Sequence, residues 1–341
     1  MPSYKHLFNM TTPTGMLQFS SEASPDPTSG YTLDDNARAL MIALFMEENS
    51  YHYVSLYLNY LKISQREDGS WCNFLLNGIF YPDYDSEDSI GRATLACCLA
   101  TLSDWSDIRL QAARILQRAL PHIQSLSSPR AVAYALLGLS KMKHGILPEK
   151  IRHELISRHT DYLIGLYQKQ KDHNWYWFEQ GMSYCNAILP QSLFSVYAST
   201  GDKRALKTAH ETMNFLNSVL FDRGYLNIIG NEGWLQKGCT KALYDQQPVD
   251  AASVALACWE AYESIGRTEY RYLAEHARQW YHGKNINQCK VYNQSTGGCH
   301  DALTREGVNA NQGAEAVLSF LLTELMAEGK LNQKSQRVQT S

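Results

Sequence analysis

Hydrophobic residues recur along this chain in two alternating rhythms. One set of segments, at 34–46, 87–102, 129–142, 184–200, 248–266 and 308–326, is built of small apolar residues on nearly every side, as in ATLACCLATL, AVAYALLGL, AASVALACWEAY and GAEAVLSFLL. A helix that is apolar all round is one buried on every side. Between these lie segments at 51–65, 107–124, 149–170, 203–220 and 269–281 that are charged, with their apolar residues in one stripe of helical period. Ala205, Ala209, Met213, Leu216 and Leu220 carry that stripe in the fourth of them. Buried helices alternating with one-sided helices predict an inner and an outer ring. The expected fold is therefore all-α, an (α/α)6 toroid with six buried inner helices, amphipathic outer helices and a weak sixth outer member at 331–337. An open solenoid of the same pairs calls for a capping repeat with a polar outer face, and the sequence contains no such repeat. The expected organisation is an N-terminal extension (1–30) packing on the barrel, the barrel itself (31–328), and a flexible C-terminal tail (329–341).

Such a ring places the function before any motif is read. All inner helices run parallel, so their N-termini surround one mouth, and the long connections from outer to inner helices emerge there. The opposite connections, such as EENS, LSDWS and STG, are short.

Composition removes several classes of partner. The net charge is −3 and no Lys/Arg block occurs, which excludes a nucleic-acid surface. No run of about 18 apolar residues is present, so no membrane span is expected. The start lacks the apolar stretch of a signal peptide, which points to the cytoplasm. The eight cysteines form no CxxC pair and read as small core residues kept reduced. Neither a P-loop, a dinucleotide fingerprint nor a GxSxG elbow occurs, so no cofactor is expected, and no metal is assigned.

The mouth segments carry the chemistry. Four long connections, EDGSWCNF (67–74), KDHNWYWFEQG (171–181), DRGYLNIIGNEGW (222–234) and STGGCHDAL (295–303), combine a polar or glycine turn with aromatic or polar residues. Trp71, Trp175, Trp177 and Trp234 in these loops form an expected stacking platform for sugar rings. The inner helix starts add carboxylates beyond what capping requires: Asp34 with Asp35, Glu87 with Asp88, and Asp245 with Asp250. Arg38 and Arg92 follow one turn later, in reach of those acids or of a ligand oxygen. Gln246, Gln247, Asn309, Gln312 and Glu315 are further candidates to bind hydroxyls, and His300 sits in a mouth loop. Crowded, desolvated acids are driven apart in pKa, which is the arrangement of a general acid opposite a general base. The pairing expected is Asp88 or Glu87 against Asp35 or Asp250, with Asp245 in reserve.

At YTLDDNARAL, SEDSIGRA, DQQPVDAASVALACWEAY and NANQGAEAVLSFL the chain resembles a bacterial (α/α)6-barrel family, found alone or fused to glycosyltransferase domains in carbohydrate gene clusters. The resemblance covers nearly the whole chain. It implies the toroid fold, a glycan-related role and a glycosyltransferase as partner. The leading expectation is a glycoside hydrolase acting on short oligosaccharides through paired mouth carboxylates. Its alternatives are a non-catalytic glycan-binding module serving a glycosyltransferase, and an enzyme of the sugar epimerase type, which would need a histidine pair at the mouth.

Overall fold

The computed structural model describes residues 2–46 and 50–332. Six inner helices form a closed ring: α2 (Leu33–Phe45), α4 (Glu87–Ala100), α6 (Pro129–Lys141), α8 (Ile188–Thr200), α10 (Pro248–Ile265) and α12 (Ala314–Ala327). Each packs on the next, and α12 packs back on α2. The outer layer is α3 (Ser50–Ile63), α5 (Ser106–Gln124), α7 (Glu149–Gln170), α9 (Lys203–Leu220) and α11 (Thr268–Tyr281). Burial follows the two rhythms of the sequence. In α12 only Glu315, Glu324 and Ala327 escape full burial, whereas α9 buries one stripe that includes Ala205, Ala209, Met213 and Leu216. The tightest inner contact, α4 on α6, depends on two glycines. A Cβ at Gly91 would stand 2.6 Å from the Ala131 carbonyl oxygen, and one at Gly138 would stand 2.9 Å from the Leu95 Cα.

The outer ring gains a member from the other end of the chain than expected. Short helix α1 (Lys5–Met10) packs on α12, and Phe8 stacks on Tyr53 of α3 with ring centroids 4.7 Å apart. Of the sixth outer helix expected at 331–337, residues 331–332 belong to a one-turn 3-10 helix (Lys330–Asn332) on α12, and the remainder lies outside the described residues. The short connection at 47–49 lies outside them too.

Two inner helices begin later than their apolar tracts suggest. Helix α8 starts at Ile188 because 184–187 form a turn in which Cys185 has φ +45°. Helix α12 starts at Ala314 because Gly307–Val308 pairs with Leu303–Thr304 as a small antiparallel ladder. Similar ladders stitch the mouth loops to one another. Tyr31–Thr32 pairs with Phe74–Leu75, and Gly181–Met182 pairs with Leu235–Gln236, so loops distant in sequence hold each other in place. No helix among the described residues is long and apolar enough to cross a membrane.

Candidate active site at the mouth of the toroid

Capping leaves the acids of the first inner helices free. Thr32 caps α2 by accepting from the Asp35 backbone N–H, and Ser86 caps α4 by accepting from Ser89. The hydroxyl residue just outside each helix thus does the capping, and the carboxylates are surplus to it. What remains is a cavity of ≈ 520 Å³ at the mouth, within the range of roughly 300–1,000 Å³ that small-molecule sites occupy.

Four carboxylates and two guanidinium groups line it. Arg38 is the bridge: Nη1 donates to Asp35 Oδ1 at 3.0 Å and Nη2 to Glu315 Oε2 at 2.7 Å, joining the first inner helix to the last. Arg92 donates to Asp34 Oδ1 at 2.8 Å and lies over the Tyr134 ring at 4.9 Å. Asp301 accepts the Gly313 backbone N–H on Oδ1 at 2.6 Å, and its Oδ2 takes no protein hydrogen bond among the described residues. Trp234, Tyr184 and the exposed Phe19 supply aromatic faces, and Asn73, Asn231 and Gln247 supply amides.

Burial holds two of these carboxyls above their ordinary range. Asp35 is pushed up to about 6, mainly by burial and further by the charge of Glu315, against the opposing pull of Arg38. Asp301 is raised by burial and again by Glu315. Behind the wall Asp250 is raised to about 7 by burial, with Glu315 adding to it; its Oδ1 accepts from Cys185 N at 2.6 Å while Oδ2 has no partner among the described residues. Glu315 therefore acts on three separate acids.

Of the residues singled out in the sequence, Asp34, Asp35, Arg38, Arg92, Trp234, Gln247 and Glu315 meet in this cavity. The others do not line it. Glu87 turns away to accept from the Ser127 and Ser128 backbone N–H groups, and these donors outweigh burial and lower its pKa. Asp88 is buried, accepting from Ser128 Oγ at 2.7 Å and from Tyr184 OH at 2.8 Å. Asp245 is not part of the cavity lining, and its backbone carbonyl accepts from Asn231 N. Gln246 is fully buried between Asn227 and the Trp280 indole. Gln312 is buried, bonded to Thr296, and Asn309 caps the turn to Asn311. His300 faces the Ala310 carbonyl.

The stacking platform reduces to one of its four tryptophans. Trp71, Trp175 and Trp177 are buried in the core. The Trp71 indole donates to the Leu61 carbonyl and that of Trp175 to the Glu179 carbonyl, so these rings plug their loops onto the barrel. The reason is physical: a large ring gains more by filling the groove between helices than by standing in water.

Two contributors were underrated. Asp301 stands beside His300 in a loop sequence that offers a base, but the weight fell on the histidine; the fold sets Asp301 against Gly313 and near Glu315. Arg130 is buried and donates to Glu179, Ser183, Asn186 and the Tyr184 carbonyl, while lying over the Tyr184 ring at 4.6 Å. It anchors the loop that carries Tyr184 and Cys185 into the cavity. Its sequence signal was an arginine one residue inside an inner helix, the register of Arg38 and Arg92 moved toward the cap. Among the described residues no group of three or more His, Cys, Asp or Glu side chains converges as a metal site would.

No protein-family model matches the chain, and no curated protein matches it. Solved structures do. Cellobiose 2-epimerase from Bacillus thermoamylovorans B4167 superposes with a TM-score of 0.73 at 9% identity, covering 96% of this chain and 96% of that one. A sugar epimerase from a ruminal bacterium gives 0.71 at 11% identity over 96% and 95%. The GH76 α-mannanase of Bacteroides thetaiotaomicron gives 0.57 at 14% identity over 91% and 88%. At such identities the likeness is one of fold: the chain is an (α/α)6 toroid along nearly its whole length.

Proposed function

We propose that the chain is a carbohydrate-active enzyme, a glycoside hydrolase that cleaves short neutral glycosides at the mouth cavity. The observation that carries this reading is the presence in one cavity of a carboxyl whose pKa burial raises, Asp301, with one oxygen that takes no hydrogen bond among the described residues, near a second carboxylate, Glu315. In the proposed reaction Asp301 protonates the leaving oxygen and Glu315 activates water or attacks the sugar. Asp35 has both oxygens engaged, by Arg38 and by the Thr32 hydroxyl, and serves to hold Arg38 against Glu315. It is a positioning residue.

The cavity's charge favours neutral substrates. Four acids (Asp34, Asp35, Asp301, Glu315) face two arginines, each already paired, so a uronate or sugar phosphate meets no spare cation. Trp234, Tyr184 and Phe19 suit the apolar faces of sugar rings. The lining includes no histidine, which favours carboxylate chemistry over the imidazole pair an epimerase-type reaction was expected to need. That the structural neighbours include sugar epimerases and glycan-cleaving enzymes supports a carbohydrate substrate.

The test is a panel of neutral oligosaccharides and simple glycosides, followed by NMR for binding and for product. Asp301→Asn and Glu315→Gln are each expected to lower kcat by about 10²-fold or more while leaving saccharide binding intact. Hydrolysis that survives both substitutions overturns the assignment.

A further inference from the structure

The N-terminal segment holds a bare aromatic ring at the wall of the mouth. Phe19 lines the cavity and is 54% exposed, yet the backbone that carries it is pinned from both sides. Its N–H donates to Ser29 Oγ and its carbonyl accepts from Asp26 N, each at 3.0 Å. Gln18 before it donates to the Gly30 carbonyl and accepts from Ala314 N, both at 3.0 Å. Ser20 after it accepts from Gln312 N on Oγ, again at 3.0 Å. A ring on a loose loop is bare wherever the loop happens to be; a ring held by these bonds is bare in one set place. An aromatic face fixed and exposed beside a polar cavity is a surface prepared for the apolar face of a ligand.

The position of Phe19 on the ring decides which part of a ligand it meets. Gly313 and Ala314 carry adjacent N–H groups at the start of α12. The first donates to Asp301 Oδ1 at 2.6 Å and the second to the Gln18 carbonyl. A Cβ on Gly313 would stand 3.2 Å from each of those two oxygens, so the carboxyl and the segment bearing Phe19 share one anchor. Leu17 bridges to Tyr31 just ahead of α2, which sets this segment between α12 and α2. Tyr184 belongs to the other side of the ring. Its OH reaches Asp88 of α4, Arg130 of α6 lies under its ring, and Trp234 is 6.4 Å away between ring centroids. The mouth therefore has two aromatic walls, with Asp301 on the Phe19 side.

We infer that Phe19 forms the leaving-group subsite and is a specificity-determining residue. Resting on the hydrolase reading, the unit joined through the oxygen that Asp301 protonates must lie on the Asp301 side, and its ring stacks on Phe19. The unit passed to water takes the wall of Tyr184 and Trp234. The substrate class is then glycosides whose leaving group is itself a sugar ring, with disaccharides the smallest of them.

The experiment titrates the full-length protein, by ligand-observed NMR, with methyl glycosides of glucose, mannose and galactose and with disaccharides of each. At least one disaccharide is expected to bind about tenfold more tightly than the methyl glycoside of the same sugar. Phe19→Ala should cancel that gain, and Phe19→Trp should keep it; both variants should melt with the wild type, because the ring is exposed. Disaccharides that bind no more tightly than methyl glycosides overturn the inference, as does a gain that survives Phe19→Ala. Turnover is read separately. A gain lost in Phe19→Ala without cleavage of the disaccharide upholds the subsite and rejects the hydrolase. Cleavage whose kcat/KM is indifferent to Phe19→Ala upholds the hydrolase and rejects the subsite.

Discussion

Asp250 lies closed off behind the mouth, and its replacement by asparagine should change the sign of its effect on stability as pH rises. Burial lifts its pKa from 3.8 to about 7; the charge of Glu315 adds to the rise, and the Cys185 N–H and Arg130 oppose it. Between those values the folded protein keeps a proton that the unfolded chain has lost. The stability of the wild type is therefore fully present below about pH 4 and is lost progressively as pH climbs to 7. At about 1.4 kcal/mol per tenfold change in proton affinity the loss amounts to about 4 kcal/mol. Asparagine escapes that loss because it never ionises, and its carbonyl can still accept from Cys185. It introduces a different cost: its N–H₂ sets two donor hydrogens where the protonated carboxyl sets one, at an oxygen with no partner among the described residues, and the extra unmade donor costs about 1–3 kcal/mol. Asp250→Asn is thus expected to be the less stable protein near pH 4 and the more stable one, by about 1–3 kcal/mol, at pH 8. Urea denaturation of both proteins at the two pH values measures this directly. A stability difference that stays constant from pH 4 to pH 8 would refute the claim that this carboxyl is held protonated by burial.

Trp71→Ala should cost about 3–5 kcal/mol in thermal or urea unfolding and leave saccharide affinity per folded molecule unchanged, because its ring is core. Trp234→Ala should do the reverse, weakening saccharide binding in an NMR titration with little loss of stability, since this ring is partly open to the cavity. Gly69 and Gly78 both have positive φ, at +88° and +78°, but a Cβ at Gly69 would stand 2.0 Å from the Arg118 carbonyl oxygen whereas one at Gly78 would meet nothing within 4 Å. Gly78→Ala is accordingly expected to cost about 1 kcal/mol of backbone strain and Gly69→Ala clearly more, read as a larger drop in Tm. Arg38→Lys should reduce kcat/KM at least about tenfold, because one ammonium cannot span Asp35 and Glu315 as the guanidinium does; an unimpaired variant would remove Arg38 from the site.

Helix pairing, the two rings and the common mouth were legible in the sequence because burial of a helix is written in its own periodicity. The tract around Phe320 is apolar on every side and is core; the stripe through Met213 is one-sided and is outer. Asp34, Asp35, Arg38 and Glu315 were legible for the same reason, since a residue in the first turns of an inner helix must lie near the mouth. What the sequence could not decide was which of two equally local arrangements each loop side chain adopts. Glu87 and Asp35 both open an inner helix, but one turns to the Ser127 and Ser128 amides while the other pairs with Arg38. Trp71 and Trp234 both follow glycine turns, and only the second is left open to the cavity. Asp301 gains its raised pKa from burial against α12, with Gly313 12 residues away holding its carboxyl in place. Such outcomes turn on desolvation and on partners contributed by distant segments, and those exist only once the ring has closed.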